Sequence, residues 1–346
     1  MQNAPRQLVT TSFRAMNTQI EMQLAIDAVA PGLDERRAAA EADLQAAAAR
    51  LRQLEALLTR FQPTSELSAL NRASGEWFSA SAELFEVVRL AAEARAASGG
   101  LFDPTILNAL EAAGYDRSFD EIGQRELGPL PREAARRSIQ QAGARIELDP
   151  LRRAIRLEVG ARLDLGGIAK GWIVDQIIDG PLHGYTNSLV SAGGDLRLRG
   201  GPQPGLAWSV GIRDPRADMP ETAGESFPPV AVVMLGHGAL ATSGTLKRWW
   251  LVEGQPRHHL IDPRTGQPAE QAAASQTASE RILSATALAP FCWQADILAK
   301  LLLLVAPEAR ASLSPWQMPC AWLLVLEGGR LVPSANLKEY VTALGK

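Results

Sequence analysis

Residues 8–26, LVTTSFRAMNTQIEMQLAI, partly alternate apolar with polar positions. That is the period of a half-buried strand, and it predicts two strands joined by a turn. The period then changes. In DERRAAAEADLQAAAARLRQLEALLTRF, Leu44, Leu51, Leu54 and Leu58 fall on one stripe among strong helix formers, which predicts one long helix. FQPTSELSALNRASG reads as a turn, a short helix and a stop. A second Ala-rich helix covers about 82–97 and is closed by Gly99-Gly100, and FDPTILNALEAAGY predicts a loop and a helix.

The second half is richer in strand patterns. ARIELDPLRRAIRLEV reads as a hairpin, and LDLGGIAKGWIVDQIID as strand, glycine turn and helix. NSLVSAGGDLRLRG, AWSVGIRDP and VAVVMLGHGALATSG read as strands, with a loose loop over 214–229. HHLIDPRTGQPA reads as a loop, RILSATALA as a strand, CWQADILAKLLLLV as a helix and WLLVLEGGRLV as a closing hairpin. Residues 116–143 are polar and broken by Pro and Gly, and 269–280 are low in complexity, so both predict variable excursions. Helices interleave with strands while hairpins recur. This predicts an α+β fold, one large domain over 1–346, with a mostly antiparallel mixed sheet packed with helices.

Composition narrows the function classes. Of 346 residues, 46% are hydrophobic and 21% charged, the range of an ordinary globular domain. A net charge of −3 without a basic block argues against nucleic acid as a partner. No apolar run reaches the ~18 residues of a membrane-spanning helix. The opening MQNAPRQLVTTSFRAM lacks the apolar core of a signal peptide, so compartment stays open. Cys292 and Cys320 stand far apart, with no CxxC spacing for a zinc knuckle or a disulfide framework.

Several stretches offer chemistry. The glycine turn in LDLGGIAKG opens a helix, where backbone N–H groups suit a phosphate. Lys170 adds a positive charge there, and Asp164 an acceptor for a ring or ribose. The alternative is a tight strand-to-helix turn with a solvated lysine. Gly193 and Gly194 in SAGGD allow close backbone approach to a cofactor, or simply a bulge. Thr242 and Ser243 in ATSG offer hydroxyls to a phosphate, or close a plain turn. In HHLIDPRTG, histidines stand beside Asp262, where a histidine can serve as an oriented base or simply face solvent from a loop. Trp249-Trp250 reads as core or pocket wall.

Taken in order, MNT (16–18), SELSALN (65–71), GLFDPT (100–105), DLGGIAKG (164–171), AGGD (192–195), TSG (242–244), HLIDPRTG (259–266) and ADILAK (295–300) resemble the blocks of the FAD:protein FMN transferases, the ApbE-type flavin transferases. The resemblance implies an ApbE-like, T-fold-related architecture. It implies a reaction in which the FMN half of FAD is transferred to a threonine hydroxyl of an acceptor flavoprotein and AMP leaves. It also implies Mg²⁺, and the family is often exported in bacteria.

Carried over to this chain, the resemblance places Met16, Phe61, Leu101, Phe102, Asp103, Asp164 and Lys170 on the flavin dinucleotide. Gly193, Gly194, Thr242 and Ser243 join them as candidate cofactor contacts. His259 is the candidate base, and Asp296 with the Gly167 backbone the candidate metal ligands.

The chain departs from the family at two positions. MNT replaces M-G-T, and Lys300 replaces the threonine that ligates the metal one helical turn after the acid. A protonated lysine cannot ligate a metal. Three arrangements stay open: the Lys300 ammonium replaces part of the metal's charge, Mg²⁺ still binds through Asp296 and Gly167, or Asp296 and Lys300 form a plain ion pair. Two further activities stay open with them: FAD binding without transfer, and FAD hydrolysis to FMN and AMP.

Overall fold

The alternating segment at the start folds as predicted. In a computed structural model of the chain, which describes residues 5–122, 126–127, 143–218, 227–247, 249–269, 281–305, 310, 313, 316 and 320–344, strand β1 (Arg6–Ala15) pairs with β2 (Thr18–Asp27). The register is unbroken from Arg6 opposite Asp27 to Ala15 opposite Thr18. Met16 and Asn17 form the turn, with φ of 51° and 54°. Two left-handed residues match the right-handed twist of the strands they join. Asn tolerates that region better than most side chains, so the glycine of the family pattern is dispensable here.

An eight-stranded sheet grows from this hairpin. The next strands are β3 (Ser188–Ala192), β4 (Asp195–Arg199), β5 (His237–Gly244), β6 (Ile282–Ala289), β7 (Ala321–Leu326) and β8 (Leu331–Pro333). They lie side by side in chain order, every neighbouring pair antiparallel.

The helices enter as insertions. Between β2 and β3 come α1 (Leu33–Leu58), α2 (Glu66–Arg72), α3 (Ala82–Ala97), α4 (Leu107–Ala112), α5 (Phe119–Ile122) and α6 (Ala169–Asp179). Between β6 and β7 comes α7 (Cys292–Leu304). The α1 stripe is buried as its spacing predicts. Ser65 and Ser81 cap α2 and α3, each accepting from the amide three residues on. α3 stops at Gly99 and Gly100, both at positive φ.

Strand alternation divides the core in two. Met22, Val190 and Ala241 face α1, α6 and α7. Leu189, Leu198 and Leu240 face the opposite way, onto a small sheet of Trp208–Ile212, Ala231–Leu235 and Val341–Leu344. The main sheet is thus covered on both sides, and every residue of β6 and β7 is buried. α7 is apolar all round because it is enclosed, and Lys300 is its only residue that is not buried.

The structure departs from the sequence reading in several places. The arm before the Gly166 bend is extended but joins no sheet. Its partner is a side chain: Asn71 Nδ2 donates to the Leu163 carbonyl at 2.9 Å, and Asn71 Oδ1 accepts from the Leu163 amide at 2.7 Å. The strand material of VAVVMLGHGALATSG is divided into two strands, because the chain changes sheet at Gly236. HHLIDPRTGQPA holds a short hairpin, Ile261–Asp262 with Gln267–Pro268. Trp77–Ser79 adds a third strand to the hairpin of Ile146–Asp149 and Ala154–Leu157. Within 116–143, α5 and a two-residue strand, Glu126–Leu127, parallel to Leu251–Val252, take shape, and residues 123–125 and 128–142 lie outside the described residues. So does 270–280.

Candidate active site

A cavity of about 340 Å³ opens on the helix side of the sheet. The β1–β2 turn, the C-terminal end of α1, the loop before α4, the Gly166-Gly167 bend, the loop at His259 and the last turns of α7 converge on it. Met16, Phe61, Leu101, Phe102, Asp103, Asp164, Gly167, Lys170, His259 and Lys300 all line it. Residues from five separated sequence blocks, with Phe61, therefore meet in one place.

Local structure explains how. The Asn71 amide and the Asp164 amide, which donates to Pro104 O at 2.8 Å, pin the arm ahead of the bend. The Gly166 amide donates back to Asp164 Oδ1 at 2.8 Å. α6 starts at once, which carries Lys170 to the cavity from its first turn. Gly171 lets α6 lie against α7, since a Cβ there would sit 2.7 Å from Cys292 and Trp293 backbone atoms.

Three carboxylate–cation pairs dominate the electrostatics. Arg60 Nε donates to Asp164 Oδ2 at 2.6 Å, with side-chain exposures of only 5% and 13%. Lys170 pairs with buried Asp195, and Lys300 with buried Asp296. The last two pairs act on each other. Burial pushes the Asp296 carboxyl above its usual range, Lys300 draws it back, Asp195 adds to the rise and Lys170 opposes it.

The walls are aromatic. The Arg60 guanidinium lies 4.2 Å from the Phe61 ring centre and 4.7 Å from that of Tyr115. Tyr115 stacks on Trp250 at 5.4 Å, and Trp250 Nε1 donates to Ala113 O at 2.9 Å. Trp250 is thus core behind a pocket wall, as its apolar context predicts.

Other candidates sit elsewhere. Gly193 and Gly194 form the β3–β4 turn, and Thr242 and Ser243 lie in β5. None of the four lines the cavity. They back it instead: the glycine turn leads into Asp195, whose Oδ1 accepts from the Thr242 amide at 3.3 Å. Asp296 is also behind the wall, 2% exposed. Asp103 lines the cavity, but its oxygens accept from Thr105 N, Thr105 Oγ1 and Gly143 N, so it shapes the loop. Asp262 has an arginine for its partner. Arg264 binds its carboxylate and holds it below the usual range, although burial alone would raise it.

Sequence reasoning missed Arg60, Tyr115 and Asp195. Arg60 adjoins Phe61 at the end of a helix, and Asp195 closes the AGGD block. Those neighbours were the available signal.

The molecule is a helix-covered antiparallel sheet with an aromatic, ion-paired cavity at the Gly166-Gly167 bend. The chain belongs to the ApbE family, whose profile matches residues 16–322. It is 28% identical over 291 residues to a Vibrio cholerae FAD:protein FMN transferase, covering 83% of this chain and 78% of that one. A Treponema pallidum protein of the same name is 29% identical over 256 residues, 70% of this chain and 68% of the relative. The fold matches a crystal structure of an ApbE protein from Thermotoga maritima, with a TM-score of 0.79, 24% identity and coverage of 97% and 100%. It also matches the flavin transferase ApbE from Vibrio cholerae, with a TM-score of 0.73, 23% identity and coverage of 97% and 100%.

Proposed function

We propose that this chain transfers the FMN moiety of FAD to a threonine hydroxyl of an acceptor protein and releases AMP. One observation carries the reading: motif residues far apart in sequence converge on a single cavity that combines aromatic walls with Arg60, Lys170 and Lys300. Aromatic walls suit an isoalloxazine or adenine ring, and clustered cations suit a diphosphate.

The chemistry is phosphoryl transfer, so positioning and charge stabilisation supply most of the rate. The threonine Oγ bonds to the phosphorus of the FMN half. The bond from that phosphorus to the bridging oxygen breaks, and AMP departs with the electron pair. The threonine proton passes to the His259 imidazole. Arg60 and Lys170 lie where they can hold the phosphates, each kept in place by its own carboxylate. Asp296 with the Gly167 backbone is the donor set that the resemblance implies for Mg²⁺. The residues present do not fit that ion well, because Asp296 Oδ1 is taken by the Lys300 ammonium. No step is therefore assigned to a metal.

The test is direct. Purified protein is incubated with FAD and a threonine-bearing flavoprotein acceptor, then read for covalent flavin fluorescence on the acceptor and for AMP. Labelling with one AMP per flavin is expected. AMP and free FMN without labelling would make the chain a pyrophosphatase, and bound FAD left intact would make it a binding protein.

A further inference from the structure

We propose that Lys300 is the built-in cation of this site, binding the FAD diphosphate in place of a divalent metal, so that this chain works without Mg²⁺. The inference rests on the reading of the cavity as an FAD site.

The position is occupied from within. Asp296 and Lys300 are one turn apart on α7 and therefore share a face. The Lys300 ammonium bonds the Asp296 carboxylate and also the Asp296 carbonyl, at 3.3 Å. The lysine stem crosses the glycine bend, with Cδ and Cε 3.8 Å from where a Gly167 Cβ would stand. Lys300 thus meets both the acid and the glycine bend that the resemblance names for the ion. Its side chain is 15% exposed, and it reaches the cavity while the rest of α7 stays buried.

The donor set points the same way. Mg²⁺ requires a near-octahedral shell of oxygens at about 2.0–2.1 Å. Lys300 brings no lone pair while protonated, and it takes one oxygen of the Asp296 carboxylate. Among the described residues, no group of three or more His, Cys, Asp or Glu could hold a metal. A dication here would also meet the ammonium at close range. Moving the lysine aside would leave Asp296 with a buried charge, and its Oδ2 already has no hydrogen-bond partner among the described residues.

A diphosphate arriving in the cavity needs no metal escort. Lys300, Lys170 and Arg60 all line the cavity, each paired with a carboxylate. In the transfer step the bond changes are those given above. The Lys300 ammonium supplies positive charge to the phosphate oxygens as the bridging bond breaks, and no proton leaves it.

The test measures FAD affinity by quenching of flavin fluorescence, with EDTA and then with Mg²⁺. Mg²⁺ is also titrated alone into the protein by calorimetry. The wild type is expected to bind FAD equally in EDTA and Mg²⁺ and to give no saturable Mg²⁺ heat. Lys300→Met is expected to weaken FAD about tenfold, the weight of one charge-assisted hydrogen bond. Lys300→Thr is expected to acquire a Mg²⁺ requirement for FAD binding. Wild-type FAD binding that appears only with Mg²⁺ overturns this proposal and leaves the flavin site intact. No FAD binding under either condition overturns the function and this inference together. Because the wild-type comparison needs no variant, misfolded substitutions cannot blur the outcome.

Discussion

Arg60 and Asp164 meet inside the cavity, Nε to Oδ2 at 2.6 Å, with both side chains nearly enclosed. Arg60 also donates to the Tyr115 carbonyl at 2.9 Å and lies over two aromatic rings. A buried ion pair adds little net stability, but removing one partner strands the other. Arg60→Met is therefore expected to cost about 3–5 kcal/mol, read as a fall in the urea midpoint. Arg60→Met with Asp164→Leu is expected to recover most of that loss without recovering FAD binding. An unchanged midpoint in the single variant would show that the pair is not buried in solution.

Asn71 does the work of a neighbouring strand for Leu163, bonding both its N–H and its C=O. This gives the asparagine of SELSALN a physical role: it anchors the arm that carries Asp164 and the glycine bend. Asn71→Leu leaves two buried backbone groups without partners. Each is expected to cost about 1–3 kcal/mol, and thermal melting measures the sum. FAD affinity should fall with it, since Asp164 and Lys170 hang from the same arm.

Gly171 is the last glycine of DLGGIAKG, and its reason is packing rather than phosphate. A Cβ there would meet backbone atoms of Cys292 and Trp293 at 2.7 Å. Backbone cannot swing aside as a side chain can. Gly171→Ala is expected to force α6 from α7 at a cost of about 1–3 kcal/mol and to displace Lys170 and Lys300 relative to each other. Loss of stability with unaltered FAD affinity would mean that the two cations are positioned independently of this contact.

Much of this was legible in the chain. The α1 stripe, the Gly99-Gly100 stop, the closing hairpin and the enclosed α7 follow from period and composition. The converging blocks named most of the cavity lining in advance. What stayed hidden has a common cause. Leu163 lacks a strand partner because a distant amide replaces it, and no local pattern reveals such a partner. Residues 231–244 read as strand material with no sign of the break at Gly236, because the change of sheet there is tertiary. Gly193 and Thr242 were placed on the ligand, yet they stand one layer back, where they set Asp195 against Lys170. Motif order reports that residues gather, and only coordinates separate those that touch the cavity from those that support it.

His258 ties the loop of the candidate base to its neighbour strand, its Nε2–H donating to the Ala269 carbonyl at 2.8 Å. Burial holds this imidazole below its ordinary 6.5, with the Ala269 carbonyl opposing and Arg281 and Arg257 assisting. As pH falls through 6.5, the unfolded ring takes a proton that the folded ring still refuses. The unfolded state then binds more protons, so stability is full above 6.5 and falls as pH drops below it. His258→Gln keeps a donor and cannot titrate. Its melting temperature is expected to fall less than that of the wild type between about pH 7 and pH 5. Parallel curves would assign the acid loss to other groups.

His259 follows His258 directly, at the bend where the strand Gln255–His258 ends. One ring faces Ala269 while the next lines the cavity. The anchoring residue therefore fixes the direction of its neighbour. If His259 accepts the threonine proton, His259→Gln should lower transfer by about 10²–10⁴-fold, the usual weight of a general base. FAD affinity should be unchanged if, as proposed, Arg60, Lys170 and Lys300 hold the phosphates. The pH profile of transfer should also lose its acid limb in the variant, a change that a merely structural histidine would not produce. Equal losses in FAD affinity and transfer would move His259 from proton acceptor to binding wall.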